Sequence, residues 1–125
     1  MNWYKKAQLT IPPMLYHATF KVHLESIQQR GLDPNFEGIT KCWEDCENGI
    51  YLHVDPYVAM SYPETVDNPG VTDELYDSGI IVLEIDTTSL DQSLFVQDPN
   101  IQPPDDIDSF LYKGIIPFGN VRQIF

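Results

Sequence analysis

The sequence predicts an α+β domain, and three observations carry that expectation. Short β-branched and aromatic runs bounded by glycine or proline recur along the chain. Only two segments, both in the first half, have helix-like spacing and punctuation. The resulting order is strand, helix, loop, strand, helix, loop and then several strands, which differs from the regular alternation of a wound parallel sheet. At 125 residues the chain has material for one core.

Residues 1–13 read as an N-terminal arm closed by Pro12-Pro13, and residues 14–125 as a single domain. Met14-Leu15-Tyr16-His17-Ala18-Thr19 is an apolar run with strand propensity. A helix follows, with Leu24 and Ile27 on one face and Glu25, Gln28, Gln29 and Arg30 between and beyond them. Arg30-Gly31 ends it with a cation in the last turn and a glycine cap, and Asp33-Pro34 confirms the break. Residues 35–48 have no period and read as a loop. Gly49 to Val54 reads as a strand, and Asp55-Pro56 as the cap and first residue of a helix ending near Tyr62, before Pro63. Residues 64–78 read as a surface loop around Asn68-Pro69-Gly70. Gly79 to Asp86 is the strongest strand signal in the chain. Residues 88–96 fit no single pattern, and residues 98–108, with three prolines and four acids, read as a loop. Phe110 to Ile116 and Val121 to Phe125 are the closing strands.

The formal charge is −12, and it is unevenly placed. Met1 to Leu24 holds no acid, whereas Cys42 to Tyr112 holds sixteen acids and no Lys or Arg. Such a surface repels a phosphate backbone, so nucleic acid is not the expected partner. It keeps a small domain soluble, and it also suits a basic protein partner. No apolar run approaches the roughly 18 residues of a membrane span, and the start lacks the apolar stretch of a signal peptide. A cytoplasmic, monomeric protein is the expectation.

Generic chemical motifs give little. Cys42 and Cys46 with His53 nearby have metal-pair spacing, but a structural zinc site needs four ligands and no second pair is present, so no metal is expected. The same cysteines lie among acids, which raise thiol pKa values and disfavour a Cys-His nucleophile. No phosphate-cradling glycine loop occurs.

One ordered constellation is more informative. Leu15-Tyr16-His17-Ala18-Thr19 precedes a helix ending in Gly31-Leu32. Gly49-Ile50-Tyr51-Leu52 follows, and Tyr62 comes eleven residues after Tyr51. This resembles the ADP-ribosyltransferase superfamily of the poly(ADP-ribose) polymerase and diphtheria-toxin type. That family has a His-Gly-Ser/Thr strand, a helix ending in Gly-Leu, a Gly-Ile/Val-Tyr-Phe strand and a second tyrosine on the next helix. The resemblance covers Leu15 to Tyr62 well and the last third of the chain weakly. It implies a split pair of small antiparallel or mixed sheets flanked by short helices, and NAD as the substrate.

The resemblance also implies roles. Tyr51 and Tyr62 would hold the nicotinamide ring between them, and stacked aromatic pairs contribute roughly 0.5–1.5 kcal/mol beyond area burial. The backbone of Ala18, which stands where the family has glycine, would fix the carboxamide, and Thr19 would add a hydroxyl. His17 would bond a ribose hydroxyl. The family's late-strand glutamate has no counterpart here. Asp108 is the nearest acid and the expected catalytic carboxylate, with Asp106 and Glu84 as further candidates. A one-residue slip would bring Ser109 into the site in place of Asp108. His17, Tyr51 and Asp108 are therefore the expected catalytic residues.

The implied activity is NAD-dependent mono-ADP-ribosyl transfer to a protein target. The competing expectation is a catalytically silent protein on the same scaffold whose acidic surface binds or inhibits a basic partner. The RNA 2′-phosphotransferase branch of the superfamily also uses NAD, but it requires cations for RNA phosphate that Cys42 to Tyr112 does not supply.

Overall fold

The structure, a computed structural model, describes residues 10–34, 49–65, 77–97 and 109–125; for residues 61–65 and 97 it describes the backbone alone. Strand β1 (Met14–Phe20) runs into a 3₁₀ turn (Lys21–His23) and helix α1 (Leu24–Arg30). Gly31 terminates α1 at φ 73°, with its N–H donated to the Ile27 carbonyl at 2.8 Å. A side chain at this position would also run into the Ile116 carbonyl. Leu32 and Ile116 then exchange backbone hydrogen bonds of 2.8 and 3.0 Å, which tie the end of α1 to the last third of the chain.

Strand β2 (Ile50–His53) leads into helix α2 (Pro56–Thr65). Asp55 caps α2 as expected: its Oδ1 accepts from the Tyr57 N–H at 2.8 Å. The helix does not stop before Pro63 but continues to Thr65. A proline less than one turn from the end costs the helix one backbone bond, and too few residues follow for a kink to develop.

Strand β3 (Ile80–Asp86) is followed by a turn in which Asp86 accepts from the Thr88 N–H at 3.0 Å. Asp91 does the same for Ser93 at 3.0 Å, opening a 3₁₀ turn (Gln92–Leu94) before the short strand β4 (Phe95–Gln97). The ambiguous 88–96 segment thus resolves into two side-chain-capped turns and a strand. Strand β5 spans Ser109–Tyr112 and stops short of the expected Ile116, whose backbone pairs with Leu32 instead. A last 3₁₀ turn (Phe118–Asn120) precedes β6 (Val121–Gln123).

The described strands form one six-stranded sheet in the order β4-β5-β2-β1-β3-β6, and every pairing is antiparallel. The class α+β is as expected, but the expected division into a pair of sheets is corrected. The register pair Tyr16↔His53 joins β1 to β2 and makes the sheet continuous. No described helix is long and apolar enough to cross a membrane.

Alternation assigns the two faces. Leu15, Ile50, Leu52, Ile81, Leu83, Ile85, Phe110 and Tyr112 form the main core with Ile27 of α1, Leu32 and Ile116. On the other face Phe20 and Val82 are fully buried, and α2, with Ala59 fully buried, packs across β1 and β3. The end of the N-terminal arm belongs to the domain. The Pro13 carbonyl accepts from the Thr87 N–H at 3.0 Å, the Pro12 carbonyl accepts from the Thr87 hydroxyl, and Ile11 packs on the main core.

Candidate functional site

The site is built where β1 and β2 meet. β1 pairs with β3 along its whole length, from Met14↔Asp86 to Phe20↔Ile80, but with β2 through Tyr16↔His53 alone. Strands that part leave carbonyls without ladder donors, and a side chain must supply one. His17 does so: its Nδ1 lies 2.8 Å from the Tyr51 carbonyl oxygen. A carbonyl only accepts, so Nδ1 carries the proton of the neutral ring and Nε2 carries the lone pair. Burial lowers the His17 pKa, and the bond to Tyr51 partly opposes that shift.

His17 therefore reaches the Tyr51 backbone carbonyl, whereas alternation places the Tyr51 ring on the opposite face of the sheet, with Tyr16, Ala18 and His53. Alternation starts the His17 side chain on the core side with Leu15, opposite Leu83, whereas Ala18 belongs to the α2 face. Tyr51 is 8% exposed and packs in a separate small cluster with Leu111 and Val96. These three are register partners across β2, β5 and β4 and form an apolar row. No described residue other than glycine has a positive φ, so alanine is unstrained at position 18. Thr19 is buried on the core side opposite Ile81, away from Tyr51. Tyr62 lies on α2, which also packs against β2. Asp106 and Asp108 lie outside the described residues, as do Cys42 and Cys46 of the zinc alternative.

Beside the apolar row runs a polar one. Ser109, His53, Tyr16, Glu84 and Arg122 are successive register partners across β5, β2, β1, β3 and β6, so their side chains share a face. His53 Nδ1 and Ser109 Oγ share a hydrogen bond of 2.9 Å, and both residues are buried. The Tyr16 hydroxyl donates to Glu84 at 3.3 Å, and Arg122 donates to the other Glu84 oxygen at 2.6 Å. Glu84 is thus engaged at the β6 side of the sheet. His53 has its pKa lowered to about 4, by burial first and second by the repulsion its protonated ring would meet from a protonated His17. The Tyr16 pKa is raised by burial and by the Glu84 carboxylate.

Sequence reasoning singled out His17 and Tyr51 but considered His53 only as a metal ligand. The signal for more was present, since His53 is two residues from Tyr51 on one strand and must share its face. Ser109 was named only as the residue a register slip would bring in for Asp108, and its pairing with His53 was not accessible, because nothing local sets the β2/β5 register. The sequence matches no protein-family profile, and no curated protein matches it.

Proposed function

We propose that the chain is an NAD-dependent mono-ADP-ribosyltransferase that modifies a protein target. The observation that carries this reading is the junction of His17 and Tyr51 at the parting of β1 and β2, with the Tyr62-bearing helix α2 packed against both strands. In this reading the Tyr51 and Tyr62 rings hold nicotinamide and the Ala18 backbone fixes its carboxamide. His17, with the lone pair on Nε2, accepts a hydrogen bond from a ribose hydroxyl. The C1′–N bond breaks, nicotinamide leaves with the bonding pair, and an acceptor side chain attacks C1′ and loses its proton. A carboxylate, Asp108 by sequence, stabilises the cationic sugar. Holding the ring and the sugar in register supplies much of the rate, so loss of either group is costly.

The test is nicotinamide release from NAD together with transfer of labelled ADP-ribose to lysate proteins. His17→Ala and Tyr51→Ala, each shown to be folded by circular dichroism, are expected to lower the rate by about a hundredfold. A folded wild-type protein that neither cleaves NAD nor labels any protein overturns the proposal.

One observation favours the second reading. The group that β5 presents beside His53 at its first residue is the Ser109 hydroxyl, not a carboxylate. A silent scaffold that binds a basic protein predicts association that weakens with salt and survives Tyr51→Ala.

A further inference from the structure

We infer that His53 and Ser109 are positioning residues that hold β2 in place between β1 and β5, and so place the Tyr51 ring assigned above to nicotinamide. The inference rests on that reading for its ligand, but its geometry stands apart from it. Tyr16↔His53 is the register pair that joins β1 to β2, and His53 is also the β2 partner of Ser109 on β5. One side chain therefore sits at the crossing of three strands. Its neighbours differ in kind on the two sides. Towards β1 the strands part, and His17 bonds the Tyr51 carbonyl in place of a ladder donor. Towards β5 the backbone ladder is backed by the His53–Ser109 side-chain bond, in a place where both residues are cut off from water.

A buried side-chain hydrogen bond has no water to replace a lost partner, so removing one group leaves the other unsatisfied. In Ser109→Ala, His53 Nδ1 loses its 2.9 Å partner, and the lowest-cost response is for the imidazole to turn elsewhere. That movement shifts the one residue whose backbone fixes β2 against β1. Tyr51 lies two positions along the same strand, on the same face, so its ring moves with it. The effect is expected to stay with β2 and the strands it pairs with, β5 and the part of β1 at Tyr16. β3 and β6 are held to β1 by an independent ladder and by the Glu84–Arg122 pair.

The experiment compares wild type, Ser109→Ala, Ser109→Thr and His53→Asn by two measurements. One is amide hydrogen exchange resolved by strand. The other is the nicotinamide dissociation constant, read by titration. The expected result is a loss of protection confined to β2, β5 and the β2-facing end of β1, with β3 and β6 unchanged. The dissociation constant is expected to rise about tenfold in Ser109→Ala. Ser109→Thr keeps the hydroxyl, and His53→Asn keeps a polar group near the Nδ1 position, so each should recover part of the protection. Unchanged exchange in Ser109→Ala, or protection lost evenly over all six strands, overturns the inference. If wild type does not bind nicotinamide, the proposed function fails on its own, and the exchange pattern still decides the role of His53 and Ser109.

Discussion

The two flanks of β1 solve the same problem in different ways. On one side β3 pairs with it residue for residue, and β6 then pairs with β3 from Leu83↔Gln123 to Ile85↔Val121. On the other side β2 touches it at Tyr16↔His53, and side chains take over the bonding. A continuous ladder leaves no backbone group to spare and gives a rigid floor. A parted pair exposes backbone carbonyls and gathers polar side chains, and these are the materials of a binding cleft. On the proposed function the β1/β3 flank is scaffold and the β1/β2 flank carries the site. Substitutions on each flank should therefore behave differently.

The largest effect is expected at Leu83, which is fully buried in the main core on the scaffold side. Leu83→Ala should cost about 2–5 kcal/mol in urea denaturation, with unfolding remaining one cooperative step. Leu111→Ala, in the small cluster with Tyr51, makes the counterpart, and on the proposed function its loss of stability should be accompanied by weaker nicotinamide binding. Equal effects of the two on binding would erase the distinction between the flanks.

Acid should act next, and chiefly on the site flank. His53 has a pKa of about 4 in the folded chain against 6.5 when exposed. Between those values the unfolded chain binds a proton that the folded chain does not. Stability is therefore complete above pH 6.5 and is lost as pH falls towards 4. The loss from this group is on the order of 3 kcal/mol. Burial lowers the His17 and His23 pKa values as well, which adds loss of the same sign. Denaturation midpoints measured from pH 7.5 to 4 should show the slope, and His53→Asn should flatten it.

The smallest effect belongs to Arg122, at 73% exposure the solvent end of the polar row. Arg122→Ala should cost less than about 1 kcal/mol, with the difference shrinking further in 0.5 M salt. A loss comparable to that at Leu83 would mean that the row is bonded as a unit from one end of the sheet to the other.

Much of the local structure was legible in the sequence because its causes are local. The Arg30-Gly31 stop, the Asp55-Pro56 start and the Gly79–Asp86 strand depend on neighbours in sequence, and each is where it was expected. The joining of the sheet was not legible, since one pair of residues, Tyr16 and His53, decides between two sheets and one. The end of β5 was missed for a related reason: Ile116 is apolar enough for a strand, but its backbone is claimed by Leu32 after a turn that only Gly31 permits. Of the site, His17 and Tyr51 were visible as residue types in order. That a carbonyl, rather than the phenol ring, joins Tyr51 to His17 could be learned only from coordinates.

The place of β1 in the sheet has a consequence for biosynthesis. The strand precedes the other five described strands in the chain yet ends in the middle of the sheet, and its scaffold partner lies far downstream, as with Tyr16 and Glu84, 68 residues apart. No hairpin can nucleate it. A ribosome must deliver β3 before β1 finds its full ladder, so nascent chains spend that interval with an apolar segment largely unpaired. Refolding from denaturant should accordingly take milliseconds to seconds rather than microseconds.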